Sequence, residues 1–288
     1  MTFFYVLFEV LFMSFHMIPP GIRPFKKLGQ HFLVVPDVAD RMVERAELSP
    51  RDSVLEIGPG LGVLTERLVS KAGFVYAIEK DERLAKMLEE RGLKNLSIIV
   101  GDALRVELPR FNKVVSNLPY SISSLITFRL LRHGFERAVL MYQLEFGRRL
   151  VAEPGTSNYS RLSVMVQAVA NVRIVERVGK GAFWPRPKVD SAVVIMELKP
   201  EDERVHLDET IVGVLFQHRR KKVANAFVDS RHMLGLDKET AVRIARSMPH
   251  RDRRVFTLTP GEVLEVQNHV MDVMGDRVEG SPDRRVHG

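Results

Sequence analysis

From about residue 36 the chain alternates two hydrophobic periodicities. "DVADRMVERAEL" carries apolar residues at helical spacing, whereas "SVLEIG" is a short apolar run with strand character. "FVYAIE", "LSIIV", "KVVSN" and "AVLMYQ" follow, separated by helical stretches such as "ERLAKMLEERG" and "SLITFRLLRHG". Short apolar runs between helices mark parallel strands covered on both faces, so the pattern predicts a doubly wound α/β sheet. "NVRIVERV" and "SAVVIMELKP" extend that sheet, with room for an antiparallel edge. After Pro200 the strand pattern stops. "EDER" reads as a linker, and from His206 to about Met274 only helical segments follow. The expected organisation is an N-terminal extension over 1–20, an α/β domain over 21–200, a helical domain over 201–276 and a disordered tail over 277–288. No internal repeat is present.

Composition narrows the class without choosing a function. With 288 residues, 45% hydrophobic and 27% charged, the chain can bury one large core and a smaller one. A net charge of +7 hints at a polyanionic partner and says nothing about fold. The absence of cysteine excludes disulfides and thiolate metal sites; no metal is expected, and the cytoplasm is the expected compartment. "MTFFYVLFEVLFMSFHMIPP" is apolar enough to suggest a signal or anchor, but it has Glu9 in its middle, no basic start and no small-residue cleavage site. It is also short of the roughly 20 apolar residues of a membrane span. It is expected to be dispensable, with Met13 and Met17 as alternative starts and no membrane partner.

The chemistry begins at "EIGPGLG", where Gly58, Gly60 and Gly62 separate the first strand of the alternating series from its helix. Glycines there allow a sharp turn and a close approach of ligand to main chain. Dinucleotide enzymes use a related turn, so the glycines alone decide nothing. Glu56 precedes them, and an acid there repels a pyrophosphate but suits a cationic ligand. Glu79 ends the next strand, where a carboxylate can accept from both ribose hydroxyls, and Asp102 follows the third, within reach of an adenine amino group. Three acids at one sheet edge fit S-adenosylmethionine, which offers ribose, adenine, ammonium and sulfonium but no phosphate. Arg83 and Glu82 read as helix surface.

"VVSNLPYSIS" ends the fourth strand at the same edge, and it ends oddly, on a carboxamide, a fixed turn and an aromatic ring. In isolation "NLPY" is a strand-ending turn. Beside the three acids it has a chemical reading. The exocyclic amine of adenine is a poor nucleophile because its lone pair is delocalised into the ring. Acceptors for its two N–H groups, the Asn117 side-chain oxygen and the Leu118 carbonyl, favour a pyramidal nitrogen. Pro119 presets the loop and Tyr120 offers a stacking face.

With "LGQHFL", "EIGPGLGVLT", "GDA", "SNLPYSIS", "FWPRPKVDSAVV" and "FQHRRKK" in this order, the chain resembles the ribosomal RNA adenine N6,N6-dimethyltransferases over roughly residues 25–275. The resemblance implies a Rossmann-like S-adenosylmethionine-dependent methyltransferase fold with a small C-terminal all-helical domain. It implies dimethylation of two adjacent adenosines near the 3′ end of small-subunit rRNA, with a role in ribosome assembly. Cofactor contacts are implied at Gln30, His31, Leu33, Gly58, Glu79, Asp102 and Asn117; Glu56 and Gly60 join them from the reading above. The target base is implied to sit between Tyr120 and Phe183, while Trp184 reads as a packing residue. No role is assigned to Tyr159 or Arg161 in "PGTSNYSRLSV".

Arg219, Arg220, Lys221 and Lys222 lie between apolar helical residues. Most such runs are solvated helix ends, but selecting one adenine in a folded RNA needs phosphate and 2′-hydroxyl contacts outside the base pocket. The cluster is therefore expected to bind the small ribosomal subunit, the protein acting as a monomer. A large-subunit rRNA methyltransferase shares the catalytic half, and a non-catalytic assembly factor could keep the RNA surface; intact Glu79, Asp102 and "NLPY" speak against the latter.

Overall fold

The structure, a computed structural model, describes residues 23–25 and 30–279, with side chains through residue 274. The extension expected over 1–20 and the end of the tail from residue 280 lie outside these residues. The final helix, Pro260–Glu279, continues three residues into the stretch expected to be disordered.

The chain divides into two compact units, one running through Arg148 and resuming over Asn171–Leu198, the other formed by Arg149–Ala170 and the chain from Lys199 onward. In the first, strands β2 (Ser53–Ile57), β3 (Phe74–Glu79), β4 (Leu96–Val100), β5 (Lys113–Asn117), β6 (Arg137–Gln143), β7 (Ala170–Val178) and β9 (Ser191–Leu198) form a sheet of order β4-β3-β2-β5-β6-β9-β7. β4, β3, β2, β5 and β6 are mutually parallel, and β9 runs antiparallel to β6. Val54, Leu55, Val114, Val115 and Ala138–Tyr142 are fully buried, as expected of strands covered on both faces. Two residues apiece make a separate antiparallel ladder, β1 (Phe32–Leu33) and β8 (Phe183–Trp184), with Leu33 opposite Phe183. Both strands are too short for alternation to reveal them.

Chain order reverses at β2: β3 and β4 lie to one side and β5 and β6 to the other. The carboxyl ends of parallel strands on either side of such a switch leave a crevice, where ligands of open α/β sheets bind.

The second unit has its own core, including Tyr159, Val164, Phe227, Ala241 and Val266. Residues 149–170 belong to it, although their position in the sequence placed them in the α/β domain. The cause is local chemistry. Tyr159 and Val164 bury their side chains in this core, Gln167 Nε2 donates to the carbonyls of Leu150 and Ala152, and the helix Arg161–Val169 packs on the helices Glu209–Gln217 and Pro260–Glu279.

Candidate active site

A cavity opens at the switch point, and its walls come from five places in the first unit. The carboxyl end of β2 and the following turn give Glu56–Leu61, the end of β3 gives Ile78–Lys80, and the end of β4 gives Gly101–Ala103. The end of β5 supplies Asn117–Ile122, and the segment entering β1 supplies Gln30–Leu33. Every expected site residue of this unit is thus a lining residue, with the exception of Phe183. That ring is 4% exposed and packs in the core behind the β1–β8 ladder. The aromatic neighbour of Tyr120 is instead His31, with ring centroids 5.7 Å apart and a 30° interplanar angle.

The glycine turn is shaped for closeness. Gly58 and Gly60 have φ of +68° and +58°, a region that side chains disfavour. A Cβ on Gly58 would stand 3.4 Å from Pro119 Cγ, and one on Gly60 would stand 2.9 Å from Phe32 Cδ1. The turn therefore sits directly against both the "NLPY" loop and the segment entering β1. Gly60 N–H also donates to Glu79 Oε2 at 3.1 Å, and Asp81 N–H donates to Oε1 at 2.9 Å. One donor on each oxygen fixes the carboxylate and leaves lone pairs on both for a vicinal diol. Burial pushes the Glu79 carboxyl up, against the pull of these main-chain donors.

Glu56 is 1% exposed, and Thr65 Oγ1 donates to its Oε2 at 2.7 Å. Burial pushes its carboxyl up to about 8, with the nearby Glu79 charge adding to the shift. A group so placed gains from a cation beside it. Asp102, nearer the surface, lies below the ordinary carboxylate range because Leu104 N–H and Lys80 Nζ both donate to it, each at 2.9 Å.

At the end of β5, Asn117 Nδ2 donates to the His31 carbonyl at 3.1 Å, which orients the amide and leaves Oδ1 as an acceptor. Pro119 has φ −58° and ψ 123°, and a short helical turn over Tyr120–Ile122 follows. Tyr120 Oη and Ser191 Oγ are 2.6 Å apart. Ser191 opens β9 and is fully buried, so it anchors the ring from behind. Ser191 lies within "FWPRPKVDSAVV", but nothing in that stretch ties it to Tyr120. Asp81 did carry a signal, an acid two residues after Glu79 and just ahead of a helix. It is the cap of Glu82–Glu89, and it binds Arg83, which is therefore more than helix surface.

In the second unit the four basic residues occupy the turn between the helices Glu209–Gln217 and Val223–Asp229. They do not act alike. Arg219 Nη2 donates to the Ser157 carbonyl at 2.9 Å and Nη1 to that of Tyr159, so its fork braces the 157–159 loop. Lys221 and Lys222 pair with Asp229 at 2.6 Å and Asp252 at 3.1 Å. Arg220, Lys221 and Lys222 line a groove with Arg246, Arg251 and Arg254. The last three come from sequence segments that showed no basic run as dense as "RRKK".

Comparison with known proteins agrees with this geometry. Residues 23–258 match the family model described as ribosomal RNA adenine dimethylase. A probable ribosomal RNA small subunit methyltransferase A from Thermococcus gammatolerans is 60% identical over 253 residues, 88% of this chain and 91% of the relative. Its namesake from Pyrococcus furiosus is 54% identical over 251 residues, 86% of this chain and 92% of the relative. Among solved structures, a dimethyladenosine transferase from Plasmodium falciparum superposes with TM-score 0.74 at 29% identity, covering 85% of this chain and 98% of that one. A 23S rRNA methyltransferase does so with TM-score 0.61 at 30% identity, covering 83% and 98%. With a Rossmann-like methyltransferase sheet, an acid-lined crevice suited to S-adenosylmethionine and this match across most of its length, the chain belongs to the ribosomal RNA adenine dimethylase family.

Proposed function

We propose that the protein uses S-adenosylmethionine to dimethylate N6 of two adjacent adenosines near the 3′ end of small-subunit rRNA. It would act as a monomer in the cytoplasm, on a subunit still being assembled. The observation that carries the reading is the oriented amide of Asn117, whose Oδ1 is turned to accept because Nδ2 is held by His31. The identity of 54–60% with archaeal relatives named for the small subunit favours that substrate. The 23S enzyme supports a large-subunit alternative at only 30%.

The bound cofactor supplies a methyl group activated by its sulfonium. The residues of this chain do the rest. Glu79 would accept from the ribose and Asp102 from the adenine, and Glu56 would face the cationic end, with Gln30, His31 and Leu33 lining the cavity beside them. Asn117 Oδ1 and the Leu118 carbonyl accept from the two N–H groups of the target amine, so its lone pair leaves the ring plane. Tyr120, moored by Ser191, holds the extruded base face-on. A base stacked also on Phe183 would require that ring to leave the core. Asn117, Leu118 and Tyr120 would hold the amine in line for transfer, and no strong base is required of the protein because the proton of the methylated amine would go to solvent. A second methyl on the same nitrogen would need a second molecule of cofactor.

The deciding experiment supplies labelled S-adenosylmethionine with under-methylated small subunits or with large subunits, followed by mapping of the modified nucleotides. Label on adjacent adenosines of the small subunit is expected. Label confined to the large subunit overturns the assignment, and none on either favours the assembly-factor alternative.

A further inference from the structure

The Asp81–Arg83 pair beside the cavity takes no part in the chemistry above. Asp81 is 4% exposed and caps the helix Glu82–Glu89 by accepting from Arg83 N–H at 3.1 Å. The same carboxylate receives the Arg83 guanidinium through Nε at 3.0 Å and Nη2 at 2.7 Å, and Gln30 Nε2 at 3.1 Å. Gln30 Oε1 in turn accepts from Phe25 N–H at 2.7 Å. The other face of the guanidinium lies over the Phe25 ring, 3.7 Å from its centroid, and Nη2 also reaches the Arg23 carbonyl at 3.3 Å. Asp81 is therefore bonded to three groups at once: Arg83, Gln30 on the cavity wall, and, through its own N–H, Glu79.

We propose that Arg83 is a positioning residue of the cofactor site. It grips Asp81 on one side and Phe25 on the other, and so holds Gln30 against the cavity where the cofactor binds. Arg83 itself is not among the residues that line the cavity. The inference rests on the reading of this cavity as the S-adenosylmethionine site.

The geometry also limits what Arg83 controls. Downstream of Gln30 the segment is pinned independently, by His31 Nδ1 on the Pro185 carbonyl at 2.6 Å, by the β1–β8 ladder, and by Val34 N–H on the Ala182 carbonyl at 2.9 Å. Releasing Arg83 loosens Asp81 and Phe25, the two residues that hold Gln30, and leaves the His31 carbonyl on Asn117. The signature is a loss of cofactor affinity without a loss of chemistry, which general damage to the fold would not produce.

The test is calorimetric titration with S-adenosylhomocysteine, paired with steady-state kinetics on under-methylated small subunits, for Arg83→Ala, Arg83→Lys, Phe25→Ala, the Arg83→Ala/Phe25→Ala pair and Glu79→Ala. Arg83→Ala is expected to weaken binding about five- to tenfold, Phe25→Ala less, and the pair no more than Arg83→Ala alone. KM for S-adenosylmethionine should rise in step while kcat stays within about twofold, and Arg83→Lys should recover part of the loss. Unchanged affinity in Arg83→Ala, while Glu79→Ala loses it, overturns the proposal. So does a parallel fall of affinity, kcat and melting temperature. If Glu79→Ala also binds normally, the cavity assignment fails and this proposal with it.

Discussion

Asn117 and His31, 86 residues apart, meet through a single hydrogen bond from the side-chain amide of one to the main-chain carbonyl of the other. Since any residue at position 31 offers a carbonyl, the amide is oriented by the path of the backbone, while the His31 ring stays available to stack against Tyr120. Asn117→Ala removes the acceptor and the tie to the His31 carbonyl, while Glu56, Glu79 and Asp102 keep their places in the cavity. Turnover at saturating substrate should fall by roughly 10²-fold or more, the scale seen when one oriented polar group is lost from a reacting centre. Calorimetry should show cofactor affinity falling far less than turnover; near-normal turnover would make Asn117 a structural residue.

Glu79 carries a different load. Both of its oxygens already accept from main-chain N–H groups, so their position is set before a ligand arrives. Glu79→Ala should cost about 1.5–3 kcal/mol of cofactor affinity for each charge-assisted bond removed. Titration with S-adenosylhomocysteine against a folded mutant, verified by circular dichroism, measures it.

The buried Glu56 predicts a pH dependence. Its carboxyl rises from 4.5 to about 8 on folding, chiefly because burial disfavours the charged form. Between those values the native state holds a proton that the unfolded chain has lost. Its contribution to stability is therefore complete below about pH 4.5 and is lost as the pH climbs toward 8. Urea unfolding at pH 5, 6, 7 and 8 should show Glu56→Gln flattening that decline in the ligand-free protein. Cofactor binding at pH 7 should release a proton, seen as a dependence of the calorimetric enthalpy on the ionisation enthalpy of the buffer, and Glu56→Gln should abolish it.

The basic groove separates by partner. Arg219 serves the carbonyls of Ser157 and Tyr159, so Arg219→Ala should destabilise the helical unit. Lys221 and Lys222 must leave carboxylates before they meet phosphate. Arg220 and Arg246 also line the groove, and neither side chain is held in an ion pair of this kind among the described residues. Replacing both by Gln should reduce the slope of log affinity against log salt by about 0.7–0.9 for each phosphate no longer neutralised, with S-adenosylhomocysteine affinity untouched. Subunit binding across a salt series checks it, and an unchanged slope returns the groove to ordinary solvated surface.

How much of this was legible in the sequence follows from the range of the interactions. The parallel strands announced themselves because each is a continuous apolar run, and Glu56, Glu79, Asp102 and Asn117 were legible because each lies at or just beyond the end of one. Their meeting in one cavity follows from strand order. What stayed hidden depends on interactions between distant residues. Ser191, although it stands in "FWPRPKVDSAVV", has no visible partner until β9 brings it to Tyr120. Phe183 is expected from the resemblance to face the target base, and only its pairing opposite Leu33 shows that it is buried. Arg83 reads as a helix-surface cation until Phe25 comes to lie on it. The boundary after Pro200 shows in the loss of strand pattern, but residues 149–170 could not be assigned that way, because a helix carries no mark of the core it joins.

β9 is a late strand set one place in from the edge, lying between β6 and β7 and carrying at its start the hydroxyl that moors Tyr120. The ribosome makes this protein from its amino end, so the crevice emerges in the order wall, turn, acids, "NLPY" loop, and its last fastening emerges with residue 191. Until then Tyr120 lacks its anchor, and the β1 segment lacks its ladder until β8 has been made. A chain stopped before residue 183 has every acid of the site and neither fastening. The cavity's own fastenings are thus complete only when about two thirds of the 288 residues have been made.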